Sequence, residues 1–166
     1  MGVGRGGSYP CAVLDPVQPT MLALIQRVTE ARVTVGGDTV GAIGPGLLAL
    51  VGIEPGDGEP QVARMAERLL GYRVFDDGQG RMNLSLADTG GGLLLVSQFT
   101  LAADTRSGMR PGFSTAAAPE LAEPVFNRLL ATCRQRHAAG VETGRFGAHM
   151  VIGLVNDGPV TFLLRA

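Results

Sequence analysis

"LLLVSQFTL", residues 93–101, decides how this chain is read. Four apolar residues in succession without polar alternation describe a buried strand, the kind found in sheets that helices cover. The run turns polar at Ser97-Gln98, and side chains at the end of a buried strand are held rigidly and can face a cleft. Strict alternation puts Ser97 and Phe99 on one face and Gln98 and Thr100 on the other. A bend at the strand's end would let all four line one rim.

Working outward, both flanks change period. In "EPGDGEPQVARMAERLLGYRVF", residues 54–75, Val62, Met65, Ala66 and Leu69 share a helical face, with Glu59-Pro60 suited to a first turn and Gly71 to a stop. "APELAEPVFNRLLATCRQRHAAG", residues 118–140, predicts a second amphipathic helix. Val125, Leu129 and Cys133 recur on it at helical spacing, which makes Cys133 a core residue.

Nearer the start, "LALIQRVTEARVTVGG" and "TVGAIGPGLLALVGI" read as the two arms of a long hairpin around Gly36-Gly37. Phe75 to Asn83 reads as a polar loop. The last strands, "VETGRFGAHMVIGLVNDG" and "PVTFLL", meet at Asn156-Asp157-Gly158-Pro159, where Asp-Gly between apolar runs signals a turn. A proline there also removes an N–H just where pairing should resume, and makes a cis peptide accessible.

The order ββαβαββ gives the fold class: α/β, a single domain of mixed β-sheets covered by two main helices. Residues 1–20, rich in Gly and Pro, read as a flexible N-terminal extension or an upstream start, leaving 21–166 as the domain. At 166 residues and 45% hydrophobic, one core is well supplied.

Composition excludes several chemistries. All 14 basic residues are arginine, so Schiff-base and lysine-nucleophile mechanisms are out, and a net charge of −1 offers no global basic field for nucleic acid. The two cysteines, Cys11 and Cys133, lie far apart with no ligand spacing, which suggests neither a disulfide nor a metal and fits a cytoplasmic setting. No run is long enough to span a membrane as a helix. No glycine-rich loop has the phosphate-cradling pattern. His137 and His149 are isolated, and each reads as solvated or packed before it reads as a base or ligand. A Ser97–His149–Asp104 triad can be assembled only on paper, with no nucleophile elbow to support it.

That leaves Ser97-Gln98-Phe99-Thr100. These are β-compatible residues closing a strand; equally, their hydroxyls, amide and backbone N–H groups could bind a polar ligand while Phe99 stacks on a nucleotide ring. "LIQRV" (24–28), "GPGLLALVG" (44–52), "RMNLSL" (81–86), "LLVSQFTLAADTR" (94–106), "RPGF" (110–113), "TGRFGAHM" (143–150) and "NDGPVT" (156–161) decide between them. In this order they resemble the D-aminoacyl-tRNA deacylases from Met21 to the end. SQFTL alone is weak; followed at this distance by NDGPVT it is specific.

The resemblance implies a homodimeric hydrolase, without cofactor, acting on a tRNA 3′ end that carries a D-amino acid or glycine. It implies that Ser97, Gln98, Phe99 and Thr100 surround the ester and terminal adenosine, with Met150 beside the adenine. It further implies a cis Gly158-Pro159 bond inserted into the partner's active site, where rigid main chain would reject L-substituents. Thr100 is a possible nucleophile by its place in the motif, but no base carries a signature for activating it.

Where the commoner family form runs "ADTRKGRRPSF", this chain has Ser107, Met109 and Gly112, so its grip on tRNA should be less salt-sensitive. Two other readings stay open: a small-ester hydrolase with Ser97 or Thr100 as covalent nucleophile, and a noncatalytic module that binds RNA 3′ ends.

Overall fold

The computed structural model describes residues 20–166, so the expected N-terminal extension lies, apart from Thr20, outside the described residues. The long first strand, β1 (Leu22–Val35), is the spine. On one side it pairs antiparallel with β2 (Asp38–Ile43) along its second half and with β3 (Gly46–Gly52) along its first half. The expected long hairpin is therefore present, with its return arm broken at Gly44-Pro45. Helix α1 (Glu59–Gly71) follows, then β4 (Phe75–Asp76) and β5 (Met82–Leu84), the short helix α2 (Leu86–Thr89), and β6 (Gly92–Ser97). A 3-10 turn (Phe99–Ala102), helix α3 (Pro119–Arg136), β7 (Val141–Thr143) and β8 (Val151–Arg165) complete the chain.

The principal sheet runs β2-β1-β3-β6-β7, with β8 on the free side of β1. β6 lies parallel to both β3 and β7, as crossovers through helices require, while every pairing of β1 is antiparallel. β2 folds back over β7: a Cβ on Gly41 would sit 2.5 Å from the Thr143 main-chain oxygen. The sheet thus curls toward a closed barrel.

The run that opened the sequence reading explains both cores. Leu93 and Leu95 of β6 pack with Met65 and Leu69 of α1 and Phe126, Leu129 and Cys133 of α3. Leu94 and Val96, on the opposite face, pack inside the curl with Val28, Val33 and Leu48. Period-two alternation thus feeds two apolar layers, which is why no polar residue interrupts the run. Burying each of these side chains is worth about 1.5–3 kcal/mol. Burial also pushes the Cys133 thiol up to about 12, in keeping with a packing role.

Two local expectations are corrected. Phe75 to Asn83 is a small antiparallel hairpin, β4–β5, whose connection is organised by Asp77: its carboxylate accepts from the Gln79 amide at 2.8 Å and the Asn83 side chain at 2.7 Å. And Asn156-Asp157-Gly158-Pro159 does not reverse the chain. β8 runs antiparallel to β1 from end to end, with Thr161 opposite Gln26 and Asn156 opposite Val28, so the intervening residues form a bulge. Chemistry that suits a hairpin tip also suits a bulge, because both need a residue at positive φ; Gly158 is at +132°.

Candidate active site

The chain leaves β6 at Ser97 and turns immediately. The Gln98 amide donates to the Val51 oxygen at 2.7 Å, and the 3-10 turn is closed by Leu101 to Gln98 at 3.2 Å and Ala103 to Thr100 at 3.1 Å. Because this turn replaces the extended strand, alternation stops at Ser97. Ser97, Gln98 and Phe99 all reach one cavity. The turn packs against Gly52, where a Cβ would lie 3.1 Å from Leu101 Cβ and 3.2 Å from the Gln98 oxygen. The amides of Phe99 and Thr100, at the head of the turn, donate to no acceptor among the described residues, as expected of a helix start.

The cavity is about 680 Å³ and opens at the C-terminal ends of β3 and β6. Val51 and Ile53 form one wall, Ala116 to Ala118 with the first turn of α3 another, and Phe146 and Met150 a third. Phe99 and Phe113 stand at its mouth with ring centroids 5.3 Å apart, each about half exposed (59% and 47%). Main-chain bonds pin the loop that carries Phe113: Asp104 and Gly112 exchange two, at 2.8 and 2.9 Å, and the Ala117 amide donates to Ile53 at 2.9 Å.

Among the described residues no acid lines this cavity, and the one titratable side chain in the lining is that of His149, which is exposed and makes no hydrogen bond to any described residue. Asp104 is committed to Arg106, which donates from Nε and Nη2 at 2.8 and 2.7 Å. That contact holds the Asp104 carboxyl far below the usual range and takes it out of any triad. His137 is buried, its Nε2 2.7 Å from the Gly91 oxygen. Among the described residues, cavity and 3-10 turn thus offer a mostly apolar cradle for a planar ring, with two free amide donors at the head of the turn. Fixed donors of this kind, where they face a reacting carbonyl, stabilise a developing oxyanion.

The expected site residues divide into three groups. Ser97, Gln98, Phe99 and Met150 line the cavity. Thr100 is exposed and outside the lining, but its hydroxyl accepts from the Gln98 side-chain amide. Gly158 and Pro159, joined by a cis peptide, lie on the exposed bulge of β8 and do not enter the cavity of their own chain.

Comparison with known proteins then settles the family. The model of the D-Tyr-tRNA(Tyr) deacylase family matches residues 24–165. The chain belongs to this family. A D-aminoacyl-tRNA deacylase of Xanthomonas campestris pv. campestris (strain 8004) is 76% identical over 145 residues, 87% of this chain and 99% of that protein. One from Stenotrophomonas maltophilia (strain K279a) is 75% identical over the same share of each. Among solved structures, a c-Myc DNA unwinding element binding protein matches with a TM-score of 0.83 at 38% identity, covering 87% of this chain and 98% of that one. A probable eukaryotic D-amino acid tRNA deacylase shares the fold, with a TM-score of 0.77 at 16% identity over 89% and 100% of the two chains. Family membership makes the protein a hydrolase of the deacylase type, acting on tRNA.

Sequence reasoning missed the alanine wall, and it read His149 as solvated or packed without placing it beside a cavity; the structure leaves it exposed on the cavity's edge. Ala116 to Ala118 carry no signature, since small residues acquire meaning only when something must fit beside them. His149 looks isolated along the chain because the cavity it borders is assembled from segments about fifty residues apart.

Proposed function

We propose that this protein hydrolyses the ester joining a D-amino acid to the terminal adenosine of tRNA, accepts mischarged glycyl-tRNA, and spares L-aminoacyl-tRNA. The observation that carries the reading is the convergence of Ser97, Gln98, Phe99 and Met150 on one apolar cavity, next to two unpaired amides, in a chain of this family.

In this reading the adenine lies against Phe99 with Met150 beside it, and the ester reaches Ser97 and Gln98. Water attacks the ester carbonyl, oriented by the free 2′-hydroxyl of the terminal ribose. The amides of Phe99 and Thr100 receive the tetrahedral oxyanion, which collapses to break the bond to the 3′ oxygen. That oxygen leaves with a proton, and the free amino acid departs. Thr100 acts as a positioning group held by Gln98, since no oriented base stands beside it.

Stereochemical selection falls to Gly158-Pro159 of a second copy, placed in this cavity by a homodimer. Two features support this: the bulge is exposed and outside the lining of its own cavity, and β8 carries the exposed apolar residues Val151, Leu154, Val155, Phe162 and Leu163, a face that a partner would cover. Among the described residues no helix is long and apolar enough to cross a membrane, and we assign the protein to the cytoplasm, where aminoacyl-tRNAs are used.

Incubation with D-Tyr-tRNA and L-Tyr-tRNA, following ester loss and protein mass, tests the proposal. Selective loss of the D-ester with no acyl adduct is expected. An adduct on Ser97 or Thr100 would establish a covalent hydrolase, and binding without cleavage an RNA-end module.

A further inference from the structure

Among the described residues, His149 is the only ionisable side chain on the wall of the cavity. The other elements of the wall contribute neutral residues: Val51 from β3, Val96 and Ser97 from β6, Ser114 from the loop after Phe113, Pro119 and Ala122 from α3, and Ile152 from β8. The charged residues next in sequence to the lining, Glu54, Glu120, Glu123 and Arg145, are themselves absent from it. Resting on the functional reading above, we propose that His149 contacts the phosphodiester 5′ to the terminal adenosine and is the charge-bearing determinant for the nucleotide end.

Three observations fix that role rather than general base. His149 is exposed at the rim, while its neighbour Met150 is half-buried deeper in the wall. A terminal nucleotide whose adenine reaches Met150 must keep its phosphate in water, so the phosphate falls at the rim. Moreover, no described residue hydrogen-bonds the imidazole, whereas a general base needs a partner that fixes its tautomer and direction. An unanchored ring suits a solvated phosphate, whose demand is charge and reach rather than alignment. Finally, the net charge of −1 leaves little general attraction for tRNA, so a single local phosphate contact at the cavity carries unusual weight.

The contact strengthens as the imidazole is protonated, because only His⁺ offers both donors and a charge. The test uses the full chain and two small probes, adenosine and AMP, whose 5′-phosphate stands for the phosphodiester. In NMR titrations from pH 5.5 to 8, AMP is expected to move the His149 ring signals and shift their midpoint upward; adenosine should perturb Phe99 and Met150 alone. His149→Gln identifies the signals, and at pH 6 should raise KM for D-Tyr-tRNA roughly three- to fivefold, as for an exposed charge contact, with kcat unchanged. Identical His149 titrations with both probes, while Phe99 and Met150 respond, would overturn the contact and leave the reaction standing. Loss of kcat at constant KM would make His149 a base and overturn it too. If neither probe perturbs Phe99 or Met150, the adenosine reading itself fails.

Discussion

The guanidinium of Arg27, on β1, donates from Nε to the main-chain oxygen of Asp157, on the bulge of β8, at 3.1 Å. The same side chain meets the Asp157 carboxylate at 3.3 Å and donates from Nη1 to the Val74 oxygen at 2.7 Å. Asn156 closes the bulge from the other side, donating to the Arg27 oxygen at 2.9 Å and the Val160 oxygen at 3.1 Å. Gly158 and Pro159 are exposed, yet the residues that lead into them are held on both flanks.

Arg27→Met keeps much of the aliphatic stem and removes the fork. Two main-chain oxygens lose a charged donor, so stability should fall by on the order of 2–3 kcal/mol. If the bulge is the chiral gate, the ratio of D-Tyr-tRNA to L-Tyr-tRNA deacylation should also drop, by at least about tenfold for an interaction of this size. Denaturant titration and paired deacylation assays read the two effects separately. An unchanged ratio in a destabilised protein would confine Arg27 to structure.

Gly52→Ala probes the seat of the 3-10 turn. The added Cβ would meet Leu101, the Gln98 oxygen and the Ala102 amide at 3.1–3.3 Å, so the turn must give by a few tenths of an ångström. Because the proposed oxyanion donors ride on that turn, kcat should fall by about tenfold or more while Tm changes little. A Tm collapse with a normal residual rate per folded molecule would show that the contact serves packing alone.

How much of this was legible beforehand follows from where each signal lives. The buried β6 run and the two long helices, α1 and α3, were readable because their periodicity is local, and Leu93 to Val96 pack as a two-faced strand should. The bulge at Gly158 was misread as a hairpin turn because a positive-φ glycine serves both. What distinguishes them is the pairing of β8 with β1, about 130 residues away, which no local window contains. The site was legible as a motif but not as a shape. SQFT names the residues and alternation alone would pair Ser97 with Phe99, whereas the 3-10 turn that brings Gln98 into the same cavity and leaves Thr100 outside it packs on Gly52, which no local window contains.

Asp57 supplies a pH-dependent prediction outside the site. Burial pushes its carboxyl up to about 6, against the opposing effect of the Glu54 amide, which donates to Oδ2 at 2.8 Å; the nearby Glu54 carboxylate adds to the rise. A folded-state value above the unfolded one means the folded protein holds this proton more tightly. The stabilisation is therefore complete below about pH 4 and is lost as pH rises through about 6. Asp57→Asn retains an oxygen for the Glu54 amide and removes the charge. Its Tm relative to wild type should rise between pH 4.5 and 7.5, by an amount that solvent screening keeps modest. A relative fall over that interval would show that Asp57 is stabilised as the anion.

Thr100 separates the two ways the ester can be attacked. Its hydroxyl accepts from the Gln98 amide and lies outside the cavity lining, and no base among the described residues hydrogen-bonds it. If the substrate's own 2′-hydroxyl orients the water, Thr100→Ala should retain measurable turnover, reduced by about tenfold as for loss of a positioning contact. D-Tyr-tRNA ending in 2′-deoxyadenosine should instead lose on the order of a hundredfold or more in kcat with little change in KM. Single-turnover rates on both substrates, with each protein, complete the comparison. Abolished turnover in a folded, substrate-binding Thr100→Ala, together with full activity on the deoxy substrate, would transfer the chemistry to the threonine.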